Sequence, residues 1–577
     1  MVDTETISGE ELAKEFKEHS VAEFFKKNMQ MLGLTGKIKT LTTVVHEYVT
    51  NSMDACEEAK ILPEIEVQLK ELGPEYYEVT VKDNGPGLTK ETVGKALGKL
   101  LAGTKFHRMM QTRGQQGIGA SGCTMLSQIT TGKTTKVITG TGNGNAISLE
   151  ITIDPKKNEP KITNLTELKR KFQGTAIKAQ FKGVKYVKSE QSPIEYIRRT
   201  AIANPHAKIK FIAPDNEVVV FNRSVNIIPK KPKEMKPHPK GVSVDDIVTF
   251  SKYTKANKVS TFLKTEFDRI GGKSIEEIKK SVHFDLNKDP KQLTWGEAEE
   301  IVKAFKQINF IAPTTEGLIP IGEERIKKSL SAIVKPEFLT VVERKATVYK
   351  GGFPFQVEVA IAFGGDAGRT NTNAKKDEDE SPQKRIEIMR FANRAPLLFD
   401  SGGCATTKAV YSVDWKRYGI KDLENSPMTI FINMISVHIP YTSTGKQAIS
   451  DEEEVLEEIR RALMDTGRKA GNYISAKRRE KEKQMKREIF YKYIPEIAMA
   501  LSKITKKPEE KIKKNLEKLV LEKLRLEDRE EEANKVKEEV NGVEKETKKA
   551  AKEKKVQEDE EVIENEADEV SEEEVVE

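Results

Sequence analysis

Cysteine is scarce in this chain. Its 577 residues hold three, Cys56, Cys123 and Cys404, scattered without paired spacing, which argues against a disulfide framework or a thiolate zinc site and fits a reducing cytosol. Long apolar runs are also missing. The most apolar later stretch, Met428 to Pro440, is interrupted by Asn433, Ser436 and His438, and the ~20 apolar residues of a membrane helix are not found. The first twenty residues are polar and acid-rich rather than basic then apolar, so neither a signal peptide nor a membrane span is expected. There is no Gly-x-x-x-x-Gly-Lys-Ser/Thr string, because Gly132-Lys133-Thr134 and Gly272-Lys273-Ser274 both lack the upstream glycine. A P-loop ATPase is therefore disfavoured. No internal repeat stands out.

Charge is present and polarised. The formal net charge is +7, but Glu558 to Glu577 holds twelve acidic residues and no basic ones, which leaves +19 on residues 1–557. A basic body with an acidic tail points to nucleic-acid contact together with a solvated or autoinhibitory tail, although a lysine-rich surface can also serve solubility alone.

Three motifs follow one another between Glu47 and Gly122. The helical pattern from about Leu41 to Ala59 packs Leu41, Val44, Val45, Tyr48 and Val49 on one face, with Glu47, Asn51 and Asp54 on another. Glu47 and Asn51 are four residues apart, so a carboxylate and an amide oxygen leave the same face and could hold a water and a metal ion between them. Next, Tyr77 to Lys82 alternates like a half-buried strand and runs into Asp83-Asn84-Gly85-Pro86-Gly87, which places a carboxylate at a strand end where glycines permit the backbone to approach the flat edge of a ligand. Taken alone this string reads equally well as an ordinary turn. Third, Gly114-Gln115-Gln116-Gly117-Ile118-Gly119-Ala120-Ser121-Gly122 has four glycines in nine residues, free to wrap backbone N–H groups around an anion and to move when it leaves. It reads as a phosphate lid. A dinucleotide fingerprint is set aside, because Lys105 to Arg113 does not read as a buried strand and no acidic residue lies about twenty positions beyond Gly122.

These three motifs resemble the signature of the gyrase, heat-shock chaperone, histidine kinase and mismatch-repair ATPase superfamily, and within it the B subunit of archaeal-type DNA topoisomerase VI. Val21 to Asn28, Met31-Leu32-Gly33, Arg390 to Leu398 and Tyr441 to Ile449 are similar to that protein too. The resemblance covers roughly residues 15–500. It implies ATP and Mg²⁺ as cofactors. Glu47 would polarise the attacking water, Asn51 would hold Mg²⁺, and Asp83 would accept from the adenine amino group. Gly85 and Gly87 would flank the base, and Thr175 would add a contact. Gly114, Gln115, Gln116, Gly117, Ile118 and Gly119 would enclose the phosphates, and Lys446, more than 300 residues beyond the lid, would reach the γ-phosphate from a second domain.

The resemblance also implies partners: an A subunit that cleaves DNA, double-stranded DNA, and a second copy of this chain that pairs on ATP binding, in an assembly of two A and two B chains. No convincing metal-binding acidic cluster is found in the chain, since Asp377 to Glu380 lies in a low-complexity loop, so cleavage is assigned to the partner. A cytoplasmic, nucleoid-associated location is expected. The alternative is an ATP-operated clamp or chaperone-like ATPase of the same superfamily without strand passage.

The expected fold class is α+β multidomain. Residues 1–230 form a Bergerat-type α/β-sandwich ATPase domain with an N-terminal strap. The Pro- and Lys-rich linker Pro229 to Gly241 leads to a small helix-two-turn-helix domain at 231–310, with helical spacing over Val244 to Leu263, Ser274 to Val282 and Trp295 to Asn309. Its Lys252, Lys255 and Lys258 could meet phosphates or simply be solvated. An α+β transducer domain with a long helix is expected over 311–504, with strands at Ala346 to Lys350, Gln356 to Phe363, Arg385 to Phe391 and Thr429 to Ile439. Arg369 to Gln383 reads as a mobile surface loop. The basic helix Lys477 to Ile504 is the candidate contact for the A subunit, and 505–577 is a charged, disordered tail.

Overall fold

The computed structural model describes residues 27, 29, 33–102, 109–114, 117–370 and 384–523. Most of Val21 to Asn28, Met31-Leu32, the lid glutamines Gln115 and Gln116, residues 371–383 of the expected loop, and the acidic tail lie outside these. The chain forms two compact units, Met1–Ile474 and Ser475–Glu577. No described helix is long and apolar enough to cross a membrane.

Helix α1 (Lys37–Glu58) is rich in threonine and has no side-chain N-cap, so intrinsic propensity does little to hold it. Packing holds it instead. Leu41, Val44, Val45, Tyr48, Val49 and Met53 recur at helical spacing and are at most 1% exposed, each burial contributing roughly 1.5–3 kcal/mol. They lie on a six-stranded sheet built from β1 (Glu64–Gly73), β2 (Tyr76–Asp83), β3 (Thr135–Asp154), β4 (Glu159–Lys182), β5 (Lys208–Ile212) and β6 (Val218–Phe221). The strand order is β3-β4-β2-β1-β5-β6. Only β1 and β5 pair in parallel, with Val67 opposite Phe211, while on its other edge Val67 faces Val81 across an antiparallel ladder. Three more helices complete this layer: α2 (Lys90–Gly98), α3 (Gly119–Thr131) and α4 (Pro193–Ala203). Ser192 caps α4 and Pro193 occupies its first turn, where proline's missing N–H costs nothing.

After the extended linker come α5 (Val244–Tyr253), α6 (Val259–Glu266), α7 (Gly272–Ser281) and α8 (Trp295–Gln307). The run Val244 to Leu263, expected as one helix, is two. Thr254 leaves helical geometry at φ −64°, ψ 151°, and its hydroxyl donates to Glu266 Oε1 at 2.8 Å. Both helices drop their apolar faces into one core, where Phe267 meets Phe262 edge-on at 5.5 Å and Phe305 at 5.8 Å. The apolar period therefore runs on through the break. Lys252, Lys255 and Lys258 are exposed.

The third region begins with α9 (Glu323–Ile333) and a second sheet. Its strands are β7 (Phe338–Glu343), β8 (Thr347–Tyr349), β9 (Phe353–Phe363), β12 (Glu387–Ala392), β13 (Ala395–Pro396) and β14 (Met428–Ser436). They run in the order β13-β12-β14-β9-β7, with β8 on β9. Every residue of the central strand β14 is buried, including the polar Thr429, Asn433 and Ser436, whose side chains are hydrogen-bonded. The short strands β10 (Arg369–Thr370) and β11 (Lys384–Arg385) pair with one another. Arg369, expected at the start of a surface loop, is instead mostly buried, and its guanidinium pairs with Glu195 and, at 2.7 Å, with Glu387. Helices α10 (Ala405–Ser412) and α11 (Glu453–Thr505) close the set. Val455, Ile459, Ala462 and Leu463 of α11 enter the core under the second sheet.

The two sheet-bearing regions are joined by buried charge. Arg198 on α4 donates to both carboxylate oxygens of Glu387 on β12, at 2.9 and 3.3 Å. Burial works to raise the Glu387 pKa, and the guanidinium groups of Arg198, Arg369 and Arg199 outweigh it, holding the carboxyl at about 2.

Candidate active site

A cavity of about 870 Å³ opens between α1, the end of β2, the start of α3 and the loop after β14, within the size range of small-molecule sites. Glu47 and Asn51 line it from one face of α1, as their spacing predicts. Ser52, the next residue, is buried, and its hydroxyl donates to Asp83 Oδ2 at 2.9 Å. The backbone N–H groups of Gly85 and Thr175 donate to Asp83 Oδ1 at 2.9 and 3.1 Å. Three donors thus fix the rotamer of a carboxylate that still has acceptor capacity for a ligand N–H. Burial pushes its pKa up, and those same hydrogen bonds oppose the shift. Gly85 does not line the cavity; its role is to aim Asp83.

Gly87 has φ +73°, and a Cβ there would stand 2.1 Å from the carbonyl oxygen of Gly140 on β3. No side chain fits, so the turn after Asp83 lies flush against the sheet. Beneath it, Thr139 is fully buried. Its hydroxyl accepts from Leu88 N at 2.7 Å, donates to Gly174 O at 3.2 Å and meets the Thr175 hydroxyl at 3.3 Å. Thr139 and Ser52 are functional supports that the sequence reading did not single out. Ser52 adjoins Asn51 in the first motif, whereas Thr139 carries no local signal.

The glycine-rich segment differs from the free loop expected. Gly114, Gly117 and Ile118 line the cavity as irregular backbone, but Gly119, Ala120, Ser121 and Gly122 form the first turn of α3. The N–H groups offered to an anion are therefore those of a helix N-terminus, with its favourable dipole. Gln115 and Gln116 lie outside the described residues.

Lys446 lines the same cavity, with Gly445 and Gln447 beside it, although it follows the second sheet rather than the first. It is a non-glycine residue at φ +52°. Burial draws its ammonium below the usual lysine pKa, and the carboxylates of Glu47 and Asp54 act in the opposite sense. His46, held below its ordinary value by burial, is influenced by both Glu47 and Lys446. The structure thus brings together all the described candidates except Gly85 around one space.

A second polar group lies behind α1. Arg113, immediately before Gly114, donates to Asp54 Oδ1 at 2.6 Å, to both oxygens of Glu57 at 3.0 and 2.7 Å, and to Asn204 Oδ1 at 2.7 Å. Burial would lower its pKa, yet the paired carboxylates raise it overall. No signal beyond a charged residue preceding the glycines marks it in sequence.

Residues 36–155 match the family described as histidine kinase-, DNA gyrase B- and HSP90-like ATPases, and residues 313–486 match the transducer of the topoisomerase VI B subunit. Over 565 residues the chain is 48% identical to the type 2 DNA topoisomerase 6 B subunit of Pyrococcus horikoshii, covering 90% of this chain and 97% of that one. The protein of the same name from Thermococcus kodakarensis is 47% identical over 551 residues (87% and 94% covered), and that from Methanothermobacter thermautotrophicus 48% identical over 485 residues (84% and 91% covered).

Proposed function

The chain belongs to the family of type 2 DNA topoisomerase 6 B subunits, and from that membership we propose that ATP binding closes two copies of it into a gate around duplex DNA. It is an ATP-hydrolysing type II DNA topoisomerase subunit. The observation that carries the gate reading is that Glu47, Asp83, the lid glycines and Lys446 line one cavity, although Lys446 belongs to the region of the second sheet. A ligand long enough to touch both ends links the two regions.

In this reading Glu47 takes a proton from the attacking water, a role worth about 10²- to 10⁴-fold in rate. Asp83 accepts from the adenine amino group, with Thr175 beside it, and the N-terminus of α3 with Gly114, Gly117 and Ile118 receives the phosphates. Gln115 and Gln116 complete the lid. Mg²⁺ suits the donor set, because it is bound through one or two protein oxygens together with phosphate oxygens and water. The amide oxygen of Asn51 would hold it, and the ion would supply positive charge to offset that developing on the phosphates. The Lys446 ammonium makes a charge-assisted contact with the γ-phosphate that ADP cannot offer. Losing it on hydrolysis biases the two regions toward another arrangement.

We assign 1–230 to the ATPase domain, 231–310 to the helix-two-turn-helix domain, 311–504 to the transducer and 505–577 to a tail. A partner A subunit cleaves and rejoins DNA, in an assembly of two A and two B chains acting in the cytoplasm at the nucleoid. Helix residues 477–504 are its proposed contact, a reading supported by the exposure of Ile489, Phe490, Tyr493 and Ile497, large apolar side chains that suit an interface. The basic body, including exposed Lys252, Lys255 and Lys258, faces DNA phosphates.

The test is steady-state ATP hydrolysis and nucleotide-dependent dimerisation of the chain, comparing wild type with Glu47→Ala. Turnover in wild type, with binding and dimerisation but no turnover in the variant, supports the reading. A wild type that neither binds ATP nor dimerises refutes it.

A further inference from the structure

We propose that residues 109–113 transmit the state of the lid to the second sheet, with Gln111 and Asn393 as the positioning pair. The proposal rests on the reading of the main cavity as an ATP site.

Four of the five residues in this run, which ends immediately before the first lid glycine, are held by something outside the lid. The carbonyl of Met109 accepts from Met235 N at 2.8 Å, in the linker. Buried Gln111 clamps Ile319 through both ends of its amide, donating from Nε2 to Ile319 O at 3.1 Å and accepting at Oε1 from Ile319 N at 2.7 Å. Such a two-bond clamp fixes orientation as well as distance. The carbonyl of Thr112 accepts from Asn393 Nδ2 at 3.1 Å. Arg113 grips Asp54 and Glu57 on α1, the helix that carries Glu47 and Asn51.

On the far side these contacts continue into β14. Asn393 donates from its backbone to Met434 O at 2.8 Å. Its side chain donates to Ser436 O at 2.9 Å and accepts from Ser436 N at 3.0 Å. It therefore moves with the end of β14. Asn393 and Arg394 form a two-residue turn between the paired residues Ala392 and Ala395, with φ +49° and +68°. Asparagine tolerates that conformation; arginine does not favour it. What holds Arg394 there is its environment: Nη2 donates to the carbonyls of Ile319 and Pro320 at 3.1 and 3.2 Å, its own N–H donates to Asn433, and its carbonyl accepts from Asn204 at 3.3 Å. Ile319 O thus receives Gln111 from the lid side and Arg394 from the sheet side. Asn204, which also receives Arg113, closes a second route between the same parts. A strained turn kept in place by contacts from two regions is where a bistable element is expected.

The strand end that Asn393 grips at Ser436 continues into the loop that carries Lys446. The cavity is consequently reached from β14 along two arms: forward through the chain to Lys446, and sideways through Asn393 and Thr112 to Gly114. A phosphate seated against Gly114 pulls one arm and γ-phosphate contact with Lys446 pulls the other.

The test uses the full-length chain with spin labels at Lys156→Cys and Lys345→Cys, both exposed positions, since the native Cys56, Cys123 and Cys404 are buried. Inter-label distance is measured without nucleotide, with ADP and with a non-hydrolysable ATP analogue, alongside analogue affinity and melting temperature. Wild type is expected to change distance with the analogue. Asn393→Ala and Gln111→Glu are expected to bind it within about two-fold of wild type, because neither side chain lines the cavity, yet to lose most of the change. If Asn393→Ala fails to fold, Gln111→Glu, which keeps the shape of the side chain and the acceptor for Ile319 N, decides alone. Variants that change distance as wild type does, or a wild type that binds the analogue without any change, overturn the proposal. A wild type that does not bind removes the ATP reading itself, and the affinity measurement identifies that case separately.

Discussion

Glu47 rests directly against the backbone of Gly119: a Cβ added at residue 119 would stand 1.8 Å from Glu47 Oε2 and 2.6 Å from Cδ. The proposed base and the first residue of α3 therefore share one volume. Gly119→Ala must displace the carboxylate, and ATP turnover is expected to fall about 10²-fold or more, the range in which general bases contribute. Turnover close to wild type in a folded Gly119→Ala protein would show that the Glu47 carboxylate does not need this position.

Lys446 is expected to discriminate nucleotides. A hydrogen bond to a charged group is worth about 1.5–3 kcal/mol, so Lys446→Ala is expected to weaken an ATP analogue by about 10- to 150-fold while leaving ADP nearly unchanged. Because burial lowers its pKa, the preference for the triphosphate in wild type is expected to fade with rising pH earlier than for an ordinary lysine. Calorimetric titrations of both nucleotides across alkaline pH check both points.

Glu387→Gln leaves three arginines around a neutral side chain. Breaking a buried ion pair costs about 3–5 kcal/mol, which a denaturant midpoint will register. The folded carboxyl is held at about 2, below its ordinary 4.5, so its contribution is complete above about pH 4.5 and is lost as pH falls toward 2. The gap between wild type and variant is expected to shrink over that interval; a constant gap would dissociate the effect from charge.

His206 acts in the same direction but at a higher pH. Burial holds its pKa below 6.5, against the pull of Glu57, which lies 2.8 Å from Nε2. The unfolded chain therefore takes up the proton first as pH drops, and stability is expected to decline below about pH 6.5. His206→Gln should flatten that decline without removing it, since His46 and His238 are shifted the same way. Melting temperatures from neutral to mildly acidic pH provide the measurement.

Much of the site was legible because its chemistry is local. Glu47 and Asn51 declare themselves by a four-residue spacing on an amphipathic helix, and Asp83 by an alternating strand that stops at a glycine turn; β2 ends at Asp83. The four-glycine segment reads as a lid free to move, whereas its second half is helical, because contacts of α3 with α1 and the sheet override the poor propensity of Gly119 and Gly122. The break between α5 and α6 was hidden, since both sides keep the apolar period of one shared core. The Arg113 group was illegible for another reason. Arg113 meets Asp54 across 59 residues, and Asn204 meets Arg394 across 190, and no spacing rule reaches so far. Lys446 was placed by family resemblance alone, since no pattern in its own neighbourhood distinguishes it from a loop lysine.

The cavity draws its two ends from Glu47 and Lys446, and that distance along the chain sets a clock on biosynthesis. At about 5–20 residues per second, some 20–80 seconds of translation separate the first wall of the pocket from the last. The last strand of the six-stranded sheet, β6, ends at Phe221, some 225 residues before Lys446. A nascent chain thus presents the Asp83 end of the pocket and its glycine-rich wall before Lys446 exists, and discrimination between triphosphate and diphosphate is the last property the pocket acquires.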